Sequence, residues 1–329
     1  MKIISKTFKL LTVFLLVLGV TGCSDDDDNN GPAVQTTTVV DVAVANGLTS
    51  LAAALQATNL VTTLEGTGPF TVLAPDNDAF TALLNATGLD LNNLTADEEA
   101  LVRNILLNHV IIGANLSSTD LVNLGAGYTN TGAVGPNNEN LSLYFNTTNG
   151  VVFNGQSTVT TPNLTATNGT IHIVDTVIDL PTIATFATSN DALSILVDAL
   201  AYADTGSPTV PWIDTVSDAT AGPFTVFAPT NDAFVDLLAE LEVNALTDIA
   251  VETVDGVLTY HVVGANVQSN QLASGTVTTI GGDITADASN FTLTDQNGRV
   301  SNIVVTLVDI QGINGVVHVI DKVILVPLG

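Results

Sequence analysis

The chain changes its hydrophobic rhythm in the same order twice. Leu48, Leu51, Ala54, Leu55 and Leu60 include apolar residues three and four apart and predict an amphipathic helix in a segment that opens at Asp41. Phe186, Leu193, Leu196, Val197 and Leu200 repeat the pattern in the second half, with Ser189 or Asn190 placed to cap the start. A short β run follows in each half, at residues 70–74 and 224–228, and Pro75 or Pro229 stops it. Asn77 or Asp78 then caps a helix with the apolar stripe Phe80, Leu83 and Leu84. Its counterpart is capped by Asn231 or Asp232 and carries Phe234, Leu237 and Leu238.

Next comes Thr95-Ala96-Asp97-Glu98, a capping box opening a helix with Leu101, Val102 and Ile105 on one face. Leu246-Thr247-Asp248 opens the matching helix, which runs through Val251, Val254, Val257 and Leu258. Both lead to a histidine: Asn108-His109 before Val110-Ile111-Ile112, and Tyr260-His261 before Val262-Val263. Short β segments separated by Gly and Asn fill the rest, including residues 141–145 and 151–153, then 291–294 and 304–307. Each half closes on Asn-Gly and a strand centred on His172 or His318; Gly suits the turn because it accepts positive φ at little cost. Helices in front and strands behind make each half an α+β domain.

In one block the repetition is almost literal. Residues 68–84 return as residues 222–238 with thirteen of seventeen positions identical, at a spacing of 154 residues. That spacing is too long for a solenoid unit and suits a whole domain. The expected division is residues 38–180 and residues 181–329, each half large enough to bury a core without disulfides.

The N-terminus carries an address. Lys2, Lys6 and Lys9 precede an apolar run from Leu10 to Val20, which reads as a secretory signal over residues 1–22. The run is shorter than the roughly 20 apolar residues of a transmembrane helix. Val20-Thr21-Gly22-Cys23 resembles the lipobox of bacterial lipoproteins, which makes Cys23 the expected lipidation site; it is the sole cysteine and has no internal disulfide partner. The aspartates that follow, Asp25 to Asp28, resemble surface-export signals of Bacteroidetes-type lipoproteins, and residues 23–37 read as an acidic flexible stalk. The expected location is the bacterial outer membrane, facing outward.

Charge narrows the partners. Beyond the signal only Arg103, Arg299 and Lys322 stand against 33 carboxylates, so the field repels nucleic acids and anionic headgroups. Divalent cations are attracted instead. No cofactor is expected, and calcium binding would be weak.

Three blocks recur in order in both halves: Thr-Val-[Phe/Leu]-Ala-Pro-x-Asn-Asp-Ala-Phe, the histidine before a Val or Ile run, and Asn-Gly-x-[Ile/Val]-His-[Ile/Val]-[Ile/Val]-Asp. Together they resemble the fasciclin domain and cover about residues 36–327. The resemblance implies two tandem wedges of β-strands with helices alongside, and cell adhesion outside the cell. It also marks Pro75, Asn77, Asp78, Phe80, His109 and His172 as family positions, with Pro229, Asn231, Asp232, Phe234 and His318 in the second copy. Members often carry a Tyr-His pair tied to adhesion; the second copy has Tyr260-His261, whereas the first has Asn108-His109.

The four histidines occupy equivalent places in the two halves. A zinc site would need carboxylates to complete its ligands, and H-x-x-x-H spacing is absent. Serine hydrolysis would need a Gly-x-Ser-x-Gly elbow, which is also absent, as are a phosphate loop and an EF-hand pattern. The chain is therefore read as no enzyme and without a resident metal, its histidines hydrogen-bonding backbone between sheet and helices. Tyr260-His261 keeps a contact role as the alternative. Trp212, in a loop that only the second copy has, is either packed or a surface for a sugar or partner. The expected function is surface adhesion to an extracellular protein or glycan; the alternative is an accessory that binds polymer during polysaccharide or polyester breakdown.

Overall fold

Where the hydrophobic spacing predicts one helix at the start of each half, the chain breaks it into pieces. The computed structural model describes residues 37–326, so the expected signal, Cys23 and nearly all of the expected stalk lie outside the described residues. In the first copy α1 (Val39–Ala45), α2 (Thr49–Ala57) and α3 (Val61–Leu64) replace the single helix. Thr38 and Asp41 form a capping box on α1, and Asn59 leaves the helical region with φ 56° after α2. β1 (Phe70–Pro75), α4 (Asn77–Thr87), α5 (Ala96–Asn108), β2 (Val110–Ile112) and α6 (Ser118–Leu124) follow. β3 (Ala126–Val134), β4 (Asn140–Asn146), β5 (Val152–Phe153), β6 (Ser157–Ala166) and β7 (Gly169–Val174) complete that copy.

The second copy opens with α7 (Ile183–Ser189), capped by Thr182, and α8 (Ser194–Asp204); a 3-10 turn led by Asn190 separates them. After α9 (Trp212–Ser217) come β8 (Phe224–Pro229), α10 (Asn231–Glu240), α11 (Val251–Thr259) and β9 (Val262–Val263). β10 (Gly275–Thr278), β11 (Asp283–Asp287), β12 (Thr292–Thr294), β13 (Val300–Asn302), β14 (Ile310–Gly312) and β15 (Gly315–Ile320) follow. The strand expected at residues 304–307 is a turn instead. Leu246-Thr247-Asp248 is a separate 3-10 turn rather than the first turn of α11.

Both copies rest on the same central pairing. β1 runs parallel to β7, with Val72 opposite Ile171 and Leu73 opposite His172. β8 runs parallel to β15, with Val226 opposite Val317 and Phe227 opposite His318. The first copy builds a seven-stranded sheet in the order β2-β1-β7-β6-β5-β4-β3; the second splits into β10-β11-β12-β13 and β14-β15-β8-β9. This α+β architecture agrees with the fold class read from the sequence.

The Asn-Gly turns join β6 to β7 and β14 to β15. Their glycines are required by close approach more than by turn chemistry. A Cβ on Gly169 would sit 2.2 Å from the Phe70 carbonyl oxygen, and one on Gly315 2.2 Å from that of Phe224. The parallel pairing therefore depends on both glycines.

Helices α1–α5 and α7–α11 pack on one face of the central strands of their copies, whereas α6 packs on the other. Val39, Leu51, Leu55, Phe80, Val102 and Ile105 enter one core, and Phe186, Leu196, Leu200, Phe234, Val254 and Leu258 enter another. Leu101, expected on the inner face of α5, is 46% exposed; Leu106 takes the inward place instead. The second core also takes a residue of the first copy: Tyr144 of β4 is buried in it. Tyr128 of β3 packs against Tyr144 with ring centroids 5.0 Å apart and planes tilted by 51°, and meets Phe186 edge-on at 5.8 Å. Polar contacts seal the seam. Asn190 Nδ2 donates to Tyr128 Oη at 3.0 Å, and the Gln311 backbone N–H donates to Ser142 Oγ at 3.0 Å. The two copies are packed through a shared apolar seam rather than strung on a linker.

Candidate functional site: duplicated backbone clamps and the outer surface

The helix after the duplicated strand starts one residue earlier than its sequence suggests. Asp76 and Thr230 are the caps, accepting the amides of Ala79 and Ala233. Asn77 and Asn231 are thereby freed to reach sideways. Asn77 Oδ1 accepts the Ser50 amide at 3.0 Å, and its Nδ2 donates to the Gly47 carbonyl at 2.9 Å. Asn231 repeats this with the Ile195 amide at 2.9 Å and the Asp191 carbonyl at 2.8 Å. Each asparagine pins the start of one helix to another. Asp78 and Asp232 lie exposed in the first turn, where a carboxylate suits the helix dipole. Pro75 and Pro229 end their strands, and Phe80 and Phe234 are buried.

The histidines fall into two kinds. His109 Nδ1–H donates to the Ile105 carbonyl at 2.7 Å while Nε2 accepts the Ile178 amide at 2.8 Å. His261 does the same with Val257 at 2.8 Å and Ile324 at 3.0 Å. Burial disfavours the charged imidazole and lowers both pKa values to about 4, against a smaller opposing effect of the accepting carbonyl. His172 and His318 use the other tautomer. Nε2–H donates to the carbonyls of Leu116 and Val267 at 2.9 Å, and Nδ1 accepts the amides of Asn163 and Asp309. Their pKa values are also lowered, chiefly by burial. All eight ring nitrogens have backbone partners, so none is directed at a substrate or ion. Among the described residues, no group of three or more His, Cys, Asp or Glu could hold a metal ion.

The three residues expected as a contact surface lie inside. Trp212 is 1% exposed, and its Nε1 donates to Asp255 Oδ1 at 2.7 Å. Tyr260 is 8% exposed and His261 is 2% exposed. The Tyr260 ring lies over the Gly281-Gly282 backbone, where a Cβ on Gly281 would come within 2.4 Å of Tyr260 Cδ2. Asn108 uses the equivalent place differently, donating to the Asp179 carbonyl at 3.0 Å and accepting from Thr131 Oγ1 at 3.2 Å. The difference between the copies therefore reflects two ways of filling an interior position. Cys23 lies outside the described residues.

Two further clamps escape a reading by element alone. Asn168 accepts the Val39 amide and donates to the carbonyls of Leu64 and Gly66, while Asn314 serves Ile183, Val216 and Asp218. Thr71 and Thr225 each bridge a loop, donating to Ala114 or Ala265 and accepting from Leu116 or Val267. The available signal was their recurrence at matching places.

The fasciclin domain model matches residues 46–181 and residues 193–327. The chain belongs to the fasciclin domain family. Similar proteins include protein sll1483 of Synechocystis, 37% identical over 147 residues, which are 45% of this chain and 74% of that one. Human periostin is 30% identical over 272 residues, 80% of this chain but 29% of periostin. The cell surface glycolipoprotein MPB83 of Mycobacterium bovis is 31% identical over 145 residues, 44% of this chain and 60% of that protein. Among solved structures, a FAS1 domain pair from the insect cell adhesion molecule Fasciclin I covers 87% of this chain and 95% of its own. Its TM-score is 0.47 at 19% identity.

The exterior of the fasciclin domains is strongly acidic. Residues 37–326 hold 29 carboxylates and three basic side chains, a balance of −26. Arg103 donates to the Thr58 carbonyl, and Arg299 is paired with Glu240 and Asp295. No helix among the described residues is long and apolar enough to cross a membrane.

Proposed function

We propose that this protein is an adhesion or binding lipoprotein of the bacterial outer membrane, exposed at the cell surface and held by a lipid on Cys23. Its two fasciclin domains would meet protein or polysaccharide partners as one unit. The observation that carries this reading is that the shared histidines, asparagines and threonines are all engaged by partners within the fold. It leaves an acidic outer surface on a packed pair, suited to contact and unsuited to bond-making chemistry. The kinship with a mycobacterial cell surface glycolipoprotein supports the location and the anchor.

Charge selects among partners. A balance of −26 over the described residues favours basic protein patches and neutral polysaccharides over anionic polymers. Divalent cations would screen the field between surfaces.

A panel of matrix proteins and glycans, probed with the protein with and without calcium, tests the reading. Saturable binding to a basic protein or neutral glycan is expected, weakening with salt where the partner is charged. Cys23→Ser should release the protein from the membrane fraction. Failure across the panel would count against adhesion, and membrane retention of Cys23→Ser against the anchor. Binding confined to a degradable polysaccharide or polyester would favour the accessory role.

A further inference from the structure

The copies diverge around a leucine that should do the same work in both. Leu121 lies eight residues after Gly113, and Leu272 eight after Gly264, each within a Gly-Ala-Asn stretch and its following turn. In the first copy that turn is the seven-residue α6, and Leu121 is fully buried with Ile111, Leu143 and Phe145. In the second it is a three-residue 3-10 turn, Ser269–Gln271, after which Ser274-Gly275 leads directly into β10. Leu272 is only half-buried there. Between β10 and the sheet of β8, β9 and β15 lies a cavity of about 230 Å³, bordered by Leu272, Val263 and Val277.

The cavity's chemistry is specific. Phe227 and His318 line it with ring centroids 6.0 Å apart and planes tilted by 31°, giving an aromatic wall. Its buried polar side chains, Thr225 and His318, are already paired. Thr225 Oγ1 donates to the Ala265 carbonyl and accepts the Val267 amide, and both ring nitrogens of His318 have backbone partners. A charged ligand would find no counter-ion in the wall, and an anionic one would also face the acidic exterior. A single aromatic ring fits a cavity of about 150 Å³. The larger volume here accommodates a ring with a small substituent.

We propose that this cavity of the second fasciclin domain is a binding site for a small neutral aromatic molecule. Aromatic ligands gain offset or edge contacts with Phe227 and His318 beyond simple burial. The first domain, with Leu121 seated in the equivalent place, does not share the site. This proposal is independent of the surface-binding reading, because it concerns one apolar cavity of the second domain and not the charge of the exterior.

The test is a titration of the full-length protein, labelled at Val and Leu methyl groups, followed by NMR. Benzyl alcohol should shift Val263, Leu272 and Val277 saturably while leaving Leu121 and Leu143 unmoved. Benzoate should bind at least tenfold more weakly, and n-hexanol more weakly than benzyl alcohol. Val277→Phe, which fills the cavity, should weaken benzyl alcohol binding at least tenfold. The proposal is overturned if benzyl alcohol gives no saturable shift, if both domains respond alike, or if benzoate or hexanol binds as tightly. Should Val277→Phe not fold, the titration of the unsubstituted protein decides the matter by which methyl groups move.

Discussion

His109 closes the first fasciclin domain by accepting the amide of Ile178, 69 residues further along the chain, at 2.8 Å. His261 and Ile324 repeat the contact at 3.0 Å across 63 residues. In each case the imidazole joins the end of a helix to the segment that follows the last strand. The accepting nitrogen must stay unprotonated for the bond to exist.

Stability should therefore fall as the medium is acidified from pH 7. The folded pKa of both residues lies at about 4, below the ordinary value of 6.5, so the unfolded chain binds more protons between those limits. The stabilisation is present above 6.5 and is lost as pH falls toward 4. At pH 5 the pair together should have lost about 4 kcal/mol relative to pH 7. Chemical denaturation at pH 7, 6 and 5 measures this, and a flat profile would contradict it. His261→Gln, which does not titrate, should lower stability at pH 7 and reduce the slope.

Asp76, Asn77 and Asp78 are three adjacent polar residues with different tasks, and alanine should separate them. Asp76→Ala removes a cap and should cost about 1 kcal/mol. Asn77→Ala breaks the clamp to the Ser50 amide and the Gly47 carbonyl and should cost about 1–3 kcal/mol. Asp78→Ala touches only an exposed first-turn carboxylate and should stay within about 0.5 kcal/mol. Urea midpoints give the order directly; a loss at Asp78 as large as that at Asn77 would refute the assignment.

Local chemistry was legible where neighbours in sequence are also neighbours in space. The strand ended by Pro75, the Thr95–Glu98 capping box and the Asn-Gly hairpins all follow from contacts within a few residues. The one-residue shift of the helix cap was not legible, because Asp76, Asn77 and Asp78 can all cap. Only the amide of Ser50, brought over by the fold, assigns Asn77 its role. Buried Trp212 and Tyr260 posed the opposite problem. Large aromatics serve interiors and surfaces equally well, and the deciding neighbours, Asp255 and Gly281, are remote or featureless in sequence. The seam between the domains was invisible for the same reason, since Tyr144 reads as an ordinary strand residue in residues 141–145.

That seam predicts coupled unfolding. Tyr144 belongs to the first domain by sequence but is 4% exposed within the core of the second. Tyr144→Ala should cost about 3–5 kcal/mol. Calorimetry should show one transition for the unsubstituted protein and two for the variant, with the second domain melting first. A single transition lowered uniformly would mean that the domains are coupled elsewhere.

Trp212 supplies the last prediction, because a sole tryptophan makes fluorescence a local probe. Its ring is buried beside Leu200 and Val216, and Nε1–H donates to Asp255 Oδ1 at 2.7 Å. The other carboxylate oxygen accepts the Thr209 amide at 2.9 Å and its hydroxyl at 2.7 Å. One carboxylate thus fixes both the ring and the loop that leads to it. Asp255→Ala leaves three donors without that acceptor and should cost about 2–4 kcal/mol, with a red-shifted emission as water reaches the indole. Asp255→Asn keeps an acceptor oxygen for the indole but brings an amide donor toward Thr209, so it should lose less and shift less. Partners that engage the exterior should leave Trp212 emission unchanged. Quenching by a bound glycan would show instead that the loop opens and that Trp212 leaves its carboxylate to meet the ligand.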